Sequence, residues 1–325
     1  MTDAAIVVQG LTKRFGDVVA LGGVDFEVPH GTVFGLLGPN GAGKTTVIRV
    51  LSTILRPDEG HAEVLGHDVV RDADAVRRRI GLAGQFAAVD ANLTGRENLE
   101  MVGVLAQMQK PTIKPRAQEL LERFQLSDAA DRPLRTYSGG MRRRLDIAAS
   151  LVHKPPVLFL DEPTTGLDIT SRNGLWEMIR ELVSDGTTVL LTTQYLEEAD
   201  ILAQRIAVVD LGRVIANDTP AALKAQLGST VFEMDMPAGG AERAVALLTP
   251  LVAGRVEREG EHLRVSSEHG AGALIEILRA LDTARLEPQS LTVREPSLDD
   301  VFLALTGHHA EAVEGEAEAS RGDAA

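Results

Sequence analysis

The sequence predicts an α/β domain followed by a smaller α+β domain, and three observations lead to this prediction. The length of 325 residues is about twice that of a typical domain of roughly 150. Short apolar runs alternate with helical patterns up to Leu227, which is typical of a parallel sheet. Beyond that residue, short strand candidates are separated by helix-like segments, which is typical of a small α+β module. We therefore expect a first domain over 1–227, a second over 228–307, and a disordered acidic tail over 308–325.

The first domain opens with a strand, a glycine-rich loop and a helix. The apolar run Val33–Leu37 predicts a buried strand, and the pattern of 44–55 predicts a helix that ends before Pro57. A helical insert is expected over about 86–155, where Thr94 and Glu97 have the spacing of a capping box. Another helix of this insert is predicted over 115–126. Further strands of the parallel sheet are predicted at 157–160, 189–192 and 206–209.

The second domain is predicted to be a small two-layer module. Its strands are expected at 231–234, 263–265 and 291–293, and its helices at 241–248 and 271–281. A last short helix follows Pro296, with Ser297 as its N-cap and two acidic residues near the positive end of its dipole.

Composition excludes several classes of function. The chain has 33 Lys and Arg against 47 Asp and Glu, a net charge of −14, which disfavours nucleic acid and anionic lipid as direct partners. Without cysteine there can be no disulfide, no thiolate catalysis and no cysteine-bound zinc. Apolar runs are far shorter than the roughly 20 residues of a membrane span, and we expect no secretion signal at the start.

The motif between the first strand and its helix predicts a phosphate-binding loop. Residues 38–45 fit the pattern G-x-x-x-x-G-K-[ST] in the strand and helix context that supports it. Glycines allow backbone N–H groups to surround a β-phosphate, and the helix dipole adds positive potential. Lys44 is expected between the β- and γ-phosphates, and the Thr45 hydroxyl is expected on Mg²⁺. A connecting turn would require neither the lysine nor the threonine.

Two carboxylates end the buried strand at 157–160. Unpaired acids are costly in such a place, so a partner is implied. Asp161 is expected to act as a second-sphere or water-bridged ligand of Mg²⁺, and Glu162 to orient or deprotonate the attacking water.

A second anion-binding helix start lies at Ser138, Gly139 and Gly140. The helix that follows has an apolar face, and its arginine run together with Asp146 is expected mostly on the solvent side. Because the chain has one phosphate-binding loop and two such helix starts, the second is expected to close over a nucleotide held by another copy of the chain.

The order of these segments resembles the ATP-binding cassette (ABC) family over roughly 6–218. YSGGM stands in place of the usual LSGGQ signature, and LFLDEP and then Gly166, Leu167 and Asp168 follow in the family's order. This resemblance implies that the α/β domain is a P-loop NTPase cassette with a helical subdomain and that its cofactors are ATP and Mg²⁺.

The resemblance also assigns roles to single residues. Phe15 would stack on adenine, although a core position is an alternative, and Gln85 would sense Mg²⁺ and the attacking water, although an exposed polar role is its alternative. Gln194 stands where the family usually has a switch histidine. It can donate a hydrogen bond to the γ-phosphate but cannot become cationic.

The implied site comprises three groups of residues. Catalysis is assigned to Glu162, Gln194, Gln85 and Lys44. Nucleotide binding is assigned to Phe15, Gly38, Pro39, Asn40, Gly41, Ala42, Gly43, Lys44, Thr45, Thr46, Ser138, Gly139 and Gly140. Metal binding is assigned to Thr45, Gln85 and Asp161.

Within the family, the TTQYLEEAD segment, the second domain and the closing EPSLDDVFLALTGH are similar to the ATP-binding subunits of daunorubicin-resistance-type drug exporters. That resemblance implies a homodimer on the cytoplasmic face of the cell membrane, attached to an integral membrane permease subunit that alone contacts the membrane. An ABC ATPase that acts on ribosomes or DNA is the alternative. One P-loop and the lack of long heptads disfavour it.

Overall fold

The computed structural model of the chain describes residues 4–84, 89–227, 230–252, 254–267 and 271–306. The described residues fall into two compact units, and the second begins at Asp218. This division precedes the predicted boundary at 227/228, because the helix Pro220–Ala225 packs against the last helix, Leu298–Thr306. The tail predicted to be disordered, 308–325, lies outside the described residues.

The first unit contains ten strands and seven α-helices within the described residues. Its strands are β1 (Ala4–Phe15), β2 (Val18–Pro29), β3 (Val33–Leu37), β4 (Glu59–Val64), β5 (His67–Asp68), β6 (Ile80–Ala83), β7 (Val157–Asp161), β8 (Thr188–Thr193), β9 (Arg205–Asp210) and β10 (Arg213–Asp218). Its helices are α1 (Lys44–Leu51), α2 (Ala73–Arg77), α3 (Gly95–Leu105), α4 (Lys110–Arg123), α5 (Gly139–Ser150), α6 (Ile169–Ser184) and α7 (Leu196–Leu202).

The larger sheet confirms the predicted α/β fold. Its order is β10-β9-β3-β8-β7-β6, and β9, β3, β8, β7 and β6 pair in parallel. In this register Leu37 lies beside Thr193, and Asp161 lies beside Thr192. The carboxyl ends of β3, β6, β7 and β8 therefore lie at the same edge of the sheet, where ligands of such sheets bind.

A second, antiparallel sheet of order β2-β1-β4-β5 was not expected from the sequence. It shares one apolar core with the parallel sheet and α1, in which Phe26 and Phe34 stack with their ring centroids 5.3 Å apart. The N–H of Gly212 donates to the carbonyl of Ala42, so the turn between β9 and β10 contacts the loop before α1.

Three α-helices of the described residues lie between β6 and β7, where the sequence predicts a helical insert. The capping box of α3 is confirmed, because Thr94 accepts from the N–H of Glu97 and the Glu97 carboxylate accepts from the N–H of Thr94. Helix α4 begins earlier than predicted, since Pro111 fits a first turn, where its missing N–H costs little. Helix α1 ends at Leu51 rather than at 55.

The second unit is a small α+β module, as predicted. Its elements are α8 (Pro220–Ala225), β11 (Thr230–Asp235), α9 (Ala241–Leu248), β12 (Gly254–Glu259), β13 (His262–Ser267), α10 (Ala271–Thr283), β14 (Ser290–Arg294) and α11 (Leu298–Thr306). The antiparallel sheet has the order β12-β13-β11-β14, and β12 was not predicted. Residues of α9 and α10 share its apolar core, and Arg294 binds Asp300 of α11 at 2.6 Å.

Candidate functional site

The loop between β3 and α1 has the tight geometry that its glycines predict. Gly41 and Gly43 take positive φ angles of 82° and 106°, which other residues rarely adopt. A Cβ atom on Gly43 would lie 2.5 Å from the carbonyl oxygen of Ala20, and one on Gly38 would lie 2.2 Å from that of Val209. The backbone thus turns closely into α1, whose dipole places positive potential at the loop.

Lys44 reaches back across this loop. Its Nζ donates to the carbonyls of Gly38 at 2.6 Å and Pro39 at 3.0 Å, and it lies 3.7 Å from Oε1 of Glu162. Burial lowers the pKa of Lys44, and the nearby charges of Glu162 and Asp161 oppose that shift. The structure therefore brings together the predicted lysine, at the start of α1, and the predicted base, just after β7.

The hydroxyl of Thr45 and the carboxylate of Asp161 form the oxygen-rich part of the site. The Oγ1 of Thr45 donates to Oδ1 of Asp161 at 3.1 Å, and the Oγ1 of Thr192 donates to the same oxygen at 2.6 Å. Hydroxyl and carboxylate oxygens suit Mg²⁺. The described residues hold no group of three or more His, Cys, Asp or Glu that could hold a metal.

Glu162 is held in an unusual backbone conformation with φ at 49°. Its N–H donates to both the carbonyl and the hydroxyl of Thr192, at 3.1 and 3.0 Å. Its side chain is 10% exposed, and Oε2 accepts from the hydroxyl of Thr165 at 3.4 Å. These contacts fix the strand end and direct the carboxylate toward Lys44.

Thr192 is a site residue that sequence reasoning missed. It lies on β8, is fully buried, and joins both acids at the end of β7 through one hydroxyl. The available signal was a threonine at the carboxyl end of a buried parallel strand, where an apolar side chain would be the ordinary choice.

The second predicted anion-binding element begins α5. Ser138 caps this helix by accepting from the N–H of Met141 at 3.2 Å. Gly140 packs closely against α6, since a Cβ there would lie 2.6 Å from Oγ of Ser171. The two glycines therefore keep the helix start bare of side chains.

The prediction that the arginine run and Asp146 face solvent is wrong for two residues. Asp146 is 3% exposed, and the side chain of Arg143 is 14% exposed. The side chain of Arg143 instead contacts the carboxyl ends of β6 and β7, where it donates to the carbonyls of Gly84 and Asp161. Burial lowers its pKa, while Asp146 and Asp161 act in the opposite direction.

The remaining predicted residues lie in different places. Phe15 ends β1 with its side chain 47% exposed and Nζ of Lys13 lying 5.8 Å from the ring centroid, so the alternative of a core position is wrong. Gln194 follows β8 at the same sheet edge as Glu162. Gln85 lies outside the described residues.

The chain matches two family models. Residues 21–165 match the ABC transporter family, and residues 219–306 match the C-terminal domain described as ATP-binding protein DrrA1-3-like. The second match also begins before the boundary predicted from the sequence.

Curated relatives and solved structures agree with these matches. The chain is 54% identical to the daunorubicin resistance ATP-binding protein DrrA3 of Streptomyces coeruleorubidus, covering 94% of this chain and 97% of that protein. It is 41% identical to the Nod factor export ATP-binding protein I of Ralstonia nicotianae, covering 92% and 93%. It is similar to a dimeric ATP-binding cassette solved in a post-hydrolysis state with ADP and phosphate, at 26% identity and a TM-score of 0.60, covering 66% of this chain and 98% of that one. These relatives give no support to the ribosome or DNA alternative.

Proposed function

This chain belongs to the family of ABC-type export ATPases, and on that basis we propose that it couples ATP hydrolysis to efflux of a drug or antibiotic through a separate integral membrane permease subunit. The observation that carries the proposal is that Nζ of Lys44 lies 3.7 Å from Oε1 of Glu162, beside the hydrogen bond between Thr45 and Asp161. This arrangement places a phosphate-binding cation, a candidate base and oxygen ligands for a metal at one sheet edge.

In the proposed site, the loop of residues 38–46 binds the phosphates, and the exposed ring of Phe15 stacks on adenine. Thr45 and Asp161, together with Gln85, would hold Mg²⁺, which supplies positive charge to the β- and γ-phosphates when bound. The short contact between Thr45 and Asp161 supports this assignment, because both oxygens can face one ion.

Glu162 would accept a proton from the water that attacks the γ-phosphorus as the bond to ADP breaks. Lys44 would move from the carbonyls of Gly38 and Pro39 to the phosphate oxygens. Gln194 would donate its amide to the γ-phosphate, and it would do so without adding charge.

The cassette would work as a homodimer on the cytoplasmic face of the membrane. In that dimer the helix start at Ser138, Gly139 and Gly140 of one copy closes over the nucleotide on the P-loop of the other. ATP would stabilise the closed dimer, and hydrolysis would release it and drive the permease. Among the described residues, no helix is both long and apolar enough to cross a membrane.

The test is Glu162→Gln in the full-length chain. We expect ATP hydrolysis to fall by about 10²–10⁴-fold, the usual contribution of general-base catalysis, because the amide cannot accept the proton. ATP binding should persist, and light scattering with saturating Mg-ATP should show a dimer. In cells that also carry the permease, the variant should lose efflux of daunorubicin, the compound named in the relatives.

The matched control is Glu181→Gln, which removes a carboxylate on the exposed face of α6. It should hydrolyse ATP like the parent. Parental turnover by Glu162→Gln would remove this residue from the mechanism, and a monomer under trapping conditions would contradict the shared site.

A further inference from the structure

Arg143 connects three functional segments through one guanidinium group. Its Nε donates to the carbonyl of Pro163 at 2.8 Å, and Nη2 donates to that of Asp161 at 3.0 Å. Its Nη1 donates to the carbonyl of Gly84 at 2.6 Å and to Oδ2 of Asp146 at 3.3 Å. The side chain thus ties α5 to the ends of both β6 and β7.

Two of these carbonyls belong to the residues on either side of Glu162. Because Glu162 has a positive φ angle, which is strained for a residue other than glycine, its conformation persists only where the surroundings enforce it. Arg143 holds the flanking carbonyls from one side, while Thr192 receives the N–H of Glu162 on the other. The direction of the Glu162 carboxylate therefore depends on where α5 places Arg143.

The helix that carries Arg143 begins at Ser138, so the contact also joins two different nucleotide sites. In the proposed dimer, Glu162 serves the ATP on its own subunit, whereas the start of α5 serves the ATP held by the partner. Gly84, the third carbonyl partner, lies at the end of β6. Arg143, Gly84, Gly139 and Glu162 line one cavity of about 360 Å³, which confirms that these segments meet.

We propose that Arg143 is a positioning residue that transmits closure of α5 over one ATP to the placement of Glu162 at the other. This inference rests on the proposed function. When the partner's nucleotide draws the start of α5 inward, the guanidinium moves with the helix and carries the carbonyls around Glu162 with it. The two ATP sites of a dimer thereby hydrolyse cooperatively.

The planar fork of arginine is essential to this role. A lysine would keep the charge, but its single nitrogen cannot reach the three carbonyls from the directions that Nε, Nη1 and Nη2 use. Arg143→Lys therefore keeps the positive charge and loses the hydrogen-bond geometry, whereas Arg143→Met loses both the charge and the hydrogen bonds. Neither variant alters a group assigned to nucleotide binding or to proton transfer.

Arg116 offers a matched structural control. It too is largely buried, and it donates from Nε and Nη2 to the carbonyls of Val152 and Leu151, just beyond the far end of α5. Arg116→Lys removes a comparable set of buried contacts at the end of the helix away from Glu162. It should reduce thermal stability and leave the kinetics of ATP hydrolysis unchanged.

The experiment measures steady-state ATP hydrolysis by the full-length chain, together with melting temperature. We expect Arg143→Lys and Arg143→Met to lower kcat by about 10- to 100-fold, since small misplacements of reacting groups cost that much. The KM for ATP should change little, because the phosphate-binding loop is intact. The Hill coefficient should fall from about 2 in the parent, the limit for two sites, to about 1.

The outcomes separate this inference from the proposed function. If Glu162→Gln alone fails to form an ATP-dependent dimer, the proposed function itself is contradicted. If it dimerises but both Arg143 variants keep the parental kcat and Hill coefficient, only the role of Arg143 is overturned. The same conclusion follows if Arg116→Lys reproduces their kinetic defect, or if the parent itself shows no cooperativity.

Discussion

Replacing Thr192 by valine tests whether one buried hydroxyl organises both acids of the site. Valine keeps the shape of threonine but lacks the hydroxyl. It therefore removes the hydrogen bond that Thr192 donates to Oδ1 of Asp161 at 2.6 Å and the one that it accepts from the N–H of Glu162 at 3.0 Å. Asp161 retains the hydroxyl of Thr45, and the N–H of Glu162 retains the carbonyl of residue 192. Each acid thus keeps one hydrogen-bond partner. The substitution should therefore lower the free energy of unfolding by about 2 kcal/mol, which is less than the cost of leaving a buried charge without any partner.

The loss should appear in catalysis as well as in stability. A loss of about 2 kcal/mol that is fully expressed in the transition state corresponds to about a 30-fold lower rate. We expect Thr192→Val to reduce kcat by about 10- to 30-fold. Phosphate release at saturating Mg-ATP measures this, and urea unfolding can be followed through Trp176, which is the chain's one tryptophan and is 6% exposed.

Two controls make the Thr192 result decisive. Thr192→Ser keeps the hydroxyl and should retain most of the activity. Thr188→Val removes an equally buried hydroxyl at the other end of β8, where it accepts from the N–H of Gly31 at 3.0 Å. It should lower stability without lowering kcat. If Thr192→Val turned over ATP at the parental rate, or if Thr188→Val lost as much kcat, the reasoning would be refuted.

Two further substitutions test the P-loop and the second unit. Gly43→Ala should abolish binding of a fluorescent ATP analogue, because the new Cβ would collide with the carbonyl of Ala20 and the φ angle of 106° disfavours alanine. If the variant kept its affinity for the analogue, the described loop geometry would be contradicted. Burial acts to raise the pKa of Asp300, but hydrogen bonds and charge from Arg294 outweigh it and hold that pKa below its ordinary value of 3.8. The pair therefore stabilises the fold above that pH, and the contribution is lost as the pH falls through the lower folded pKa. Because Asp300 keeps its contacts with Arg264 and Ser297, Arg294→Met should lower the free energy of unfolding by about 2 kcal/mol near pH 7, measured by urea unfolding with circular dichroism. The difference in unfolding free energy between this variant and the parent should narrow below pH 3.8. The control Arg258→Met, which changes an exposed arginine, should have the stability of the parent at every pH. A stability difference that does not depend on pH would contradict the pairing of Arg294 with Asp300.

The sequence predicted the parts of the fold whose signals are local. The P-loop, the acids after β7, the capping box of α3 and the N-cap Ser297 are each defined by residues within one turn or one strand end. The antiparallel sheet was missed because β1 pairs with β4 across more than forty residues of intervening chain, and its register with β2 shifts repeatedly. Such irregular pairing weakens the alternation of apolar and polar residues that predicts a strand.

The missed site residues illustrate the same limit. Thr192 binds Asp161 from 31 positions away, and Arg143 binds the carbonyl of Gly84 from 59 positions away. Helical periodicity placed the arginine run on the solvent side, which is the usual result for charged residues. Only the tertiary fold shows that main-chain carbonyls at two strand ends provide enough acceptors to bury one guanidinium.

The charges at this sheet edge support the proposal that the site is completed by a second copy of the chain. Among the described contacts, Lys44 and Arg143 face the carboxylates of Asp146, Asp161 and Glu162, so the cations do not outnumber the carboxylates before any nucleotide arrives. A triphosphate adds several negative charges in a partly buried place and needs further positive potential. Mg²⁺ and the start of α1 would supply part of it, and each additional helix start contributes about half an elementary charge. In the proposed dimer, the helix start at Ser138 of a second copy would provide that contribution where the γ-phosphate lies. Hydrolysis would then remove the γ-phosphate, and with it the charge that keeps the two copies of the proposed dimer together.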